Sequence, residues 1–319
     1  MARILVTGGA GFIGSHLSET LLKQGREVIC LDSFNDYYSP EIKRDNIFLL
    51  QGQSNYTLIE GDILNLDLLR QIFADYKFDI VVHLAARAGV RPSIQEPLLY
   101  QQVNVEGTTN LLEMAKEFRT QKFIFGSSSS VYGENEKVPF CESDPVDHPI
   151  SPYASTKKAC ELICYTYYHL YSISTTCLRF FTVYGPRQRP DMAIYKFTRA
   201  IEAGEQITMY GDGSSRRDYT YVTDIIEGIC KSIEYCSDYH IYNLGESKTI
   251  ELRELIQLIA KCLGQEPKIQ KLAMQPGDVP ITFADITKAK NEISYHPKVN
   301  IEQGIAKYVD WFKANKLHE

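Results

Sequence analysis

The sequence contains no apolar run that approaches the roughly 18 residues needed to cross a membrane. Residues 1–7 lead directly into a strand-like segment and lack the layout of a signal peptide. These two absences predict a soluble protein of the cytoplasm that has no membrane partner.

Paired cysteine motifs are also missing. The eight cysteines include no C-x-x-C pair, and several lie within apolar stretches, as buried free thiols do in a reducing compartment. Cys160 and Cys164 are one helical turn apart, but no further ligand has the spacing of a metal site. The sequence therefore predicts neither disulfide bonds nor a bound metal ion.

Positive charge is in deficit, with 34 lysines and arginines against 40 acidic residues and a formal net charge of −6. A nucleic-acid partner is therefore not expected, because such partners are bound by an excess of basic residues. With 319 residues, of which 44% are hydrophobic, the chain is long enough to bury a large core. We expect one large domain or two closely joined domains.

What the sequence does contain is a regular alternation of short apolar segments and longer amphipathic segments over its first 180 residues. We predict strands at residues 3–7, 27–31, 58–60, 80–84, 122–125 and 175–180. We predict helices at residues 12–24, 66–74, 103–118 and 152–170. This alternation predicts an α/β fold with a Rossmann-type, doubly wound parallel sheet. Denser Gly and Pro beyond residue 183 indicates a smaller C-terminal α/β lobe, although residues 222–243 are compatible with a return to the sheet.

A glycine motif follows the first predicted strand. Residues 9–14 satisfy G-x-G-x-x-G and lead into a helix. Glycines permit the backbone to approach a pyrophosphate closely, and the helix N-terminus supplies N–H donors. Asp32 ends the second strand, where a carboxylate binds the ribose hydroxyls of NAD and repels the 2′-phosphate of NADP. Lys43 and Arg44, further along, weaken that preference.

Tyr153 and Lys157 are four residues apart on one face of a predicted helix. The positive charge of Lys157 stabilises a deprotonated tyrosine, which makes Tyr153 a candidate general base and acid. A serine run at residues 127–130 follows the predicted strand 122–125. Hydroxyls at the carboxyl end of a sheet strand lie where α/β folds bind ligands.

Taken together, these motifs resemble the extended short-chain dehydrogenase/reductase family over nearly the whole chain. The resemblance also rests on residues 62–63, 83–86, 104–108, 127–133 and 217–224. It implies tight binding of NAD and a catalytic set of Tyr153, Lys157 and Ser128. It implies cofactor contacts at Gly8, Gly11, Phe12, Ile13, Gly14, Asp32, Asp62, Ile63, Leu84, Ala85, Ala86, Asn104, Tyr153 and Lys157.

The nucleotide-sugar members of this family oxidise a sugar carbon transiently and then diverge. The 4,6-dehydratases carry an Asp-Glu pair just before Val-Tyr-Gly, and uronate decarboxylases commonly carry a Glu there. This chain has Ser129 and Ser130 at those positions, and a hydroxyl cannot replace a carboxylate in proton transfer at neutral pH. The resemblance therefore favours epimerisation at C4 over elimination of water or loss of CO₂.

Residues 34–38, 88–91, 180–186 and 189–192 are most similar to UDP-glucuronate 4-epimerases. This similarity implies a UDP-sugar substrate, with contacts at Arg91, Ser128, Ser129, Thr182, Arg187, Arg189, Arg217 and Asp278. We expect Arg189 to hold the sugar carboxylate through two hydrogen bonds, with Thr182 assisting and Arg187 as the second candidate. Arg217 resembles a diphosphate-binding arginine, and Asp278 a contact to the uridine ribose.

Three alternatives remain open. The chain is also compatible with a 4-epimerase for a neutral UDP-sugar, with a uronate decarboxylase, and with a catalytically idle NAD-binding regulator. Family members often have Gln where this chain has Arg87, so no role is assigned to Arg87. We expect an NAD-binding domain of residues 1–180 plus about 222–247, and a nucleotide-sugar-binding lobe of residues 181–221 plus 248–319. The two long helices are expected to form a homodimer, as is common in the family.

Overall fold

The computed structural model of the protein describes residues 2–273 and 279–315. Fourteen strands lie in those ranges. They are β1 Arg3–Thr7, β2 Glu27–Asp32, β3 Tyr56–Glu60, β4 Ile80–His83, β5 Lys122–Ser128, β6 Ser174–Phe180, β7 Thr182–Tyr184, β8 Gln206–Tyr210, β9 Arg216–Arg217, β10 Tyr219–Tyr221, β11 Tyr239–Leu244, β12 Ile250–Glu251, β13 Lys268–Leu272 and β14 Ile281–Thr282.

Twelve α-helices lie in the same ranges. They are α1 Phe12–Lys23, α2 Pro40–Ile47, α3 Leu66–Tyr76, α4 Val90–Gln95, α5 Pro97–Tyr100, α6 Gly107–Glu117, α7 Pro152–Tyr171, α8 Ala193–Glu202, α9 Val222–Tyr235, α10 Leu252–Leu263, α11 Thr287–Ile293 and α12 Ile301–Ala314. A π-helical turn, Gln101–Glu106, joins α5 to α6, and a 3-10 turn, Ser129–Tyr132, follows β5. No described helix is long and apolar enough to span a bilayer.

Seven strands form the central sheet in the order β11-β6-β5-β4-β1-β2-β3, and every neighbouring pair is parallel. Successive side chains of a strand enter opposite faces. Along β1, Ile4 and Val6 therefore enter the core beneath α1 and α9, whereas Leu5 enters the core beneath α3, α6 and α7. Both faces of the sheet are covered by helices, and the expected doubly wound α/β fold is confirmed.

The later part of the chain forms the smaller lobe, whose own core joins side chains of α8, α10 and α12. The chain leaves this lobe once, because α9 packs on the first sheet and β11 pairs with β6 at its edge. Helix α9 and strand β11 therefore lie on the central sheet, and the predicted division of the chain into two domains stays a prediction.

Two predicted boundaries differ from the structure by three residues or more, and the others by at most two. Strand β5 runs on through Gly126 and Ser127 to Ser128, which are weak strand formers, because each of the three pairs with a residue of β6. The helix predicted at residues 103–118 is α-helical only from Gly107, since the turn before it is π-helical around Asn104. Both differences arise from contacts with distant parts of the chain. The spacing of apolar residues along the sequence contains no information about such contacts.

Candidate active site

The glycine loop lies between β1 and α1 at the carboxyl edge of the sheet. Gly8 has a φ of 67°, and a Cβ there would lie 2.8 Å from the amide nitrogen of Ala85. A Cβ on Gly14 would lie 2.2 Å from the carbonyl oxygen of Gly8. The first turn of α1 contains no acidic residue, and no side chain caps it. The loop is thus an open cradle of backbone N–H groups that fits a diphosphate.

Asp32 lies at the end of β2, beside this loop. Its Oδ2 accepts from the N–H of Ala10 at 3.1 Å, and its Oδ1 from the N–H of Phe34 at 3.0 Å. Burial raises the pKa of Asp32, although these two hydrogen bonds oppose the change. Arg44 is paired with Glu60 at 3.1 Å, so its charge is partly neutralised. The carboxylate of Asp32 therefore remains placed to receive ribose hydroxyls.

Helix α7 carries Tyr153 and Lys157 on its first two turns. It begins where Ser151 caps the N–H of Ala154 at 3.1 Å. The Lys157 Nζ donates to the carbonyl oxygen of Gly126 at 2.7 Å and lies 6.0 Å from the centre of the Tyr153 ring. The helix therefore holds an ammonium group beside the tyrosine ring at the end of β5.

Ser128 is the last residue of β5. Its Oγ accepts from the N–H of Ser130 at 3.2 Å, so the serine run folds back as a 3-10 turn instead of continuing the strand. Ser128, Tyr153 and Lys157 line one cavity of about 560 Å³ that also contains the glycine loop. The structure thus brings the predicted catalytic and cofactor residues to one site.

The same cavity is lined by most of the other residues that the sequence singled out. These are Gly8, Gly11, Phe12, Ile13, Gly14, Asp32, Asp62, Ile63, Leu84, Ala85, Ala86, Ser129, Thr182 and Arg189.

Asn104 does not line the cavity, and its expected cofactor contact stays a prediction. Its carboxamide is buried and clamps the backbone of Arg87, accepting from the N–H at 2.8 Å and donating to the carbonyl oxygen at 3.0 Å. It also donates to Thr156 Oγ1 at 3.1 Å. With both ends of its amide occupied by the protein, Asn104 shapes the cavity wall from behind.

Arg187 lines neither of the two cavities of this site, so the structure does not bring it together with the other predicted substrate residues. Its φ of 62° turns it toward α1, where Nη2 pairs with Glu19 at 3.0 Å.

Arg189 lines the cavity, but its guanidinium is already engaged. Nε and Nη2 donate to the two carboxylate oxygens of Asp191 at 2.8 and 2.9 Å. Its Cζ lies 5.6 Å from the centre of the Tyr37 ring. Asp191 therefore occupies the Nε–Nη2 edge of the guanidinium, one of the two edges that could hold a sugar carboxylate through two hydrogen bonds.

A second cavity, of about 480 Å³, lies on the side of the smaller lobe. Arg91 and Arg217 line it, and the Arg91 guanidinium lies 4.7 Å from the centre of the Tyr210 ring. Asp191 lines this cavity and Arg189 lines the first, so their ion pair stands between the two. Asp278 lies outside the described residues.

Sequence reasoning missed an aromatic wall. Tyr37 lines the first cavity, and the Cζ of Arg87 lies 5.7 Å from the centre of its ring. Tyr100 packs edge-on to the Tyr153 ring at 6.2 Å and donates its hydroxyl to the carbonyl oxygen of Ala88 at 2.7 Å. Tyr37 stands in a segment quoted for its family likeness, whereas no local pattern marks Tyr100.

His83, at the end of β4, is held neutral below the cavity floor. The hydroxyl of Thr108 donates to the carbonyl oxygen of Asn104 and so accepts from His83 Nε2 at 3.0 Å. With the proton of the neutral ring on Nε2, His83 Nδ1 is an acceptor, and Thr7 Oγ1 donates to it at 2.8 Å while accepting from the N–H of Ala85. Burial, and then the charge of Lys157, lower the pKa of His83 to about 3.

Within residues 2–273 and 279–315 no group of three or more His, Cys, Asp or Glu side chains is arranged to hold a metal ion.

Comparison with known proteins defines the class. The family model for GDP-mannose 4,6 dehydratase matches residues 5–308, and the chain belongs to that family. The chain is 42% identical to a UDP-glucuronate 4-epimerase of Thermodesulfobacterium geofontis over 99% of this chain and 97% of that relative. The expected membership of the extended short-chain dehydrogenase/reductases is confirmed.

Two solved structures are similar along the whole chain. The UDP-glucuronic acid 4-epimerase of Bacillus cereus, in complex with UDP-glucuronic acid and NAD, is 37% identical with a TM-score of 0.92, covering 98% of this chain and 99% of that one. The UDP-glucose 4-epimerase of Thermotoga maritima, with UDP-glucose, is 33% identical with a TM-score of 0.91, at the same coverage.

The neutral state of His83 predicts a specific pH dependence of stability. Between pH 6.5 and about 3, His83 is protonated in the unfolded chain and stays neutral in the folded chain, because folding lowers its pKa. The free energy of unfolding therefore falls with decreasing pH, by up to about 1.4 kcal/mol per pH unit for one proton. Urea unfolding of His83→Gln between pH 7.5 and 4.5 should show a shallower decline than the parent protein. Parallel declines would show that His83 is not held neutral.

Proposed function

We propose that the protein is an NAD-dependent isomerase that converts UDP-glucuronate to UDP-galacturonate by 4-epimerisation, through a transient 4-keto intermediate. The observation that carries the proposal is the make-up of the rim after β5. Tyr153, Lys157 and Ser128 face one cavity, while Ser129 and Ser130 stand where dehydratases and decarboxylases need carboxylates. The likeness to UDP-glucuronate 4-epimerases over the whole chain supports the same reaction.

In this proposal the two parts of the chain bind different molecules, one the cofactor and the other the nucleotide sugar. Residues 1–180 with about 222–247 hold NAD, with the diphosphate on the glycine loop and the adenosine ribose at Asp32. Residues 181–221 with 248–319 hold the nucleotide sugar, with its diphosphate at Arg91 and Arg217 in the second cavity. The sugar then reaches past the Arg189–Asp191 pair into the first cavity.

The chemistry assigned to the chain is proton transfer at the C4 hydroxyl. Tyr153 removes the hydroxyl proton, Ser128 donates a hydrogen bond to the reacting oxygen, and the ammonium of Lys157 stabilises the deprotonated tyrosine. NAD⁺, when bound, supplies the group that accepts a hydride from C4 and returns it to the opposite face. After the 4-keto sugar has turned, Tyr153 gives the proton back.

Retention of the carboxylate is the second task of the site. A 4-keto uronate is a β-keto acid, which loses CO₂ when its carboxylate bond can align with the ketone. Thr182 and Arg189 both line the first cavity, and we assign to them the hold that keeps the carboxylate away from that alignment. Asp191 fixes the arginine for this contact through two short hydrogen bonds.

Homodimerisation and a cytoplasmic location complete the proposal. Helices α6 and α7 pack side by side, and the outer face of α7 exposes Leu162 and Tyr165, with Leu98 exposed just before the π turn. Such apolar side chains are typical of an interface. All eight cysteines are free, as in a reducing compartment.

Replacement of Tyr153 by Phe removes the proposed base and leaves the ring contact with Tyr100 in place. We expect turnover of UDP-glucuronate to fall by at least about 10²-fold, as is typical for loss of a positioned acid–base group, with an unchanged unfolding midpoint. Tyr76→Phe, at a half-buried ring outside both cavities, is the matched control. Near-parental turnover in the Tyr153 variant would rule out the assigned role.

Replacement of Arg189 by Ala tests recognition of the uronate. We expect affinity for UDP-glucuronate, measured by calorimetry, to weaken by about 10- to 100-fold, which corresponds to one charged hydrogen bond. Affinity for UDP alone should be unchanged. Arg187→Ala, which removes a neighbouring arginine from outside the cavity, should affect neither ligand. Equal weakening for both ligands would assign Arg189 to the diphosphate and favour a neutral sugar.

A charge placed on the proposed dimer face should separate the subunits. Leu162→Glu is expected to give particles of 36.4 kDa by light scattering, where the parent protein gives about twice that mass. Leu49→Glu places the same charge on an equally apolar exposed residue after α2 and should leave the mass unchanged. A monomeric parent protein would contradict the proposed interface.

A further inference from the structure

A buried ion pair joins the helix of the proposed catalytic residues to the sheet. Glu161 on α7 and Arg179 on β6 are each 1% exposed. Arg179 Nε donates to Glu161 Oε1 and Nη2 to Oε2, both at 2.9 Å. The guanidinium also lies 4.8 Å from the centre of the Tyr132 ring. The fork of the arginine therefore fixes both the distance and the angle between α7 and β6.

The same carboxylate holds the end of β5. Ser127 donates its hydroxyl to Glu161 Oε1 at 2.7 Å, and one turn earlier Lys157 donates to the carbonyl oxygen of Gly126 at 2.7 Å. Two successive residues of β5 are thus tied to two successive turns of α7. Ser128, the next residue of the strand, carries the hydroxyl proposed to assist Tyr153. The relative position of these two reacting groups is set by those ties.

Stability alone does not explain an ion pair at this place. Two buried charges cost desolvation energy that their attraction often fails to recover, and apolar residues of similar volume frequently replace such pairs without loss. The arrangement is also not optimised for stability, because the buried Nη1 of Arg179 has no hydrogen-bond partner in the described parts of the chain. An apolar replacement would lack the two directional hydrogen bonds between Arg179 and Glu161. It would also lack the carboxylate oxygen that accepts from Ser127.

We propose that Glu161 and Arg179 are positioning residues for the reaction. This inference rests on the proposed function of Tyr153, Lys157 and Ser128. The pair holds α7 at one register against the ends of β5 and β6, so that the Tyr153 hydroxyl and the Ser128 hydroxyl converge on the same substrate oxygen. Neither residue lines the cavity, so they act through the residues that they hold.

The decisive variant replaces both charges at once, as Glu161→Met with Arg179→Met. Because the two buried charges are removed together, and Lys158, which lies 3.9 Å from Glu161 Oε2, is 21% exposed and stays in contact with water, we expect it to fold with an unfolding midpoint close to that of the parent protein. Its kcat for UDP-glucuronate should nevertheless fall by about 10- to 100-fold, the scale of a small misplacement of reacting groups, while KM stays within about twofold. The pH profile of kcat should change as well, because a loss confined to folding would lower the unfolding midpoint and leave that profile unchanged.

Phe73→Leu is the matched control for loss of packing. Phe73 is fully buried and touches Phe78 and Phe118. These two residues precede β4 and β5, and so lie at the amino ends of the strands, away from the cavity at the carboxyl ends. The Phe73→Leu change should lower the unfolding midpoint and leave kcat and its pH profile unchanged. If the double variant does not fold, Arg179→Lys is measured by the same criteria, because it keeps the charge and loses the fork.

Parental kcat and pH profile in a folded double variant, or in Arg179→Lys, would overturn the positioning role. Absence of UDP-glucuronate turnover in the parent protein would instead overturn the proposed function. The variants would then be compared on the UDP-sugar that the parent does turn over, with the same criteria for the pair. The two failures are therefore distinguishable.

Discussion

Parallel pairing of the central strands imposes the constraint on which the site depends. Because β1, β2, β4, β5 and β6 all run in one direction, their carboxyl ends meet at one edge of the sheet. The glycine loop, Asp32, His83 and Ser128 each stand at such an end. A single antiparallel strand would carry one of these groups to the far side. The helices that cover the sheet then add Tyr153 and Lys157 from the side, at the start of α7.

The charges of the site are controlled by pairing. Arg189 is paired with Asp191, burial and the charge of Lys157 keep His83 uncharged, and Lys157 donates to a backbone carbonyl. The rim after β5 carries hydroxyls and no carboxylate. With Ser129 and Ser130 after β5, the site has no carboxylate at the positions that elimination of water or loss of CO₂ requires in related enzymes, and this favours epimerisation.

Local patterns in the sequence were sufficient to predict those parts of the site that are built from residues close together along the chain. The glycine loop and the Tyr153–Lys157 pair depend on spacing within one loop or one helix, and the structure places both at the cavity. The orientation of Arg187 toward Glu19, the clamp of Asn104 on Arg87 and the contact of Tyr100 with Tyr153 were not predicted. Each of these contacts is made with a residue that lies between 17 and 168 positions away along the chain. Spacing rules contain no information about such partners.

Product analysis with UDP-glucuronate is the most direct test of the central claim. Purified protein is incubated with UDP-glucuronate, without added NAD, and the nucleotide sugars are separated by chromatography. We predict UDP-galacturonate as the sole product, formed with cofactor that the protein retains. Formation of a UDP-pentose with release of CO₂ would contradict it, because the serines after β5 and the hold of Arg189 on the carboxylate would then have been misassigned.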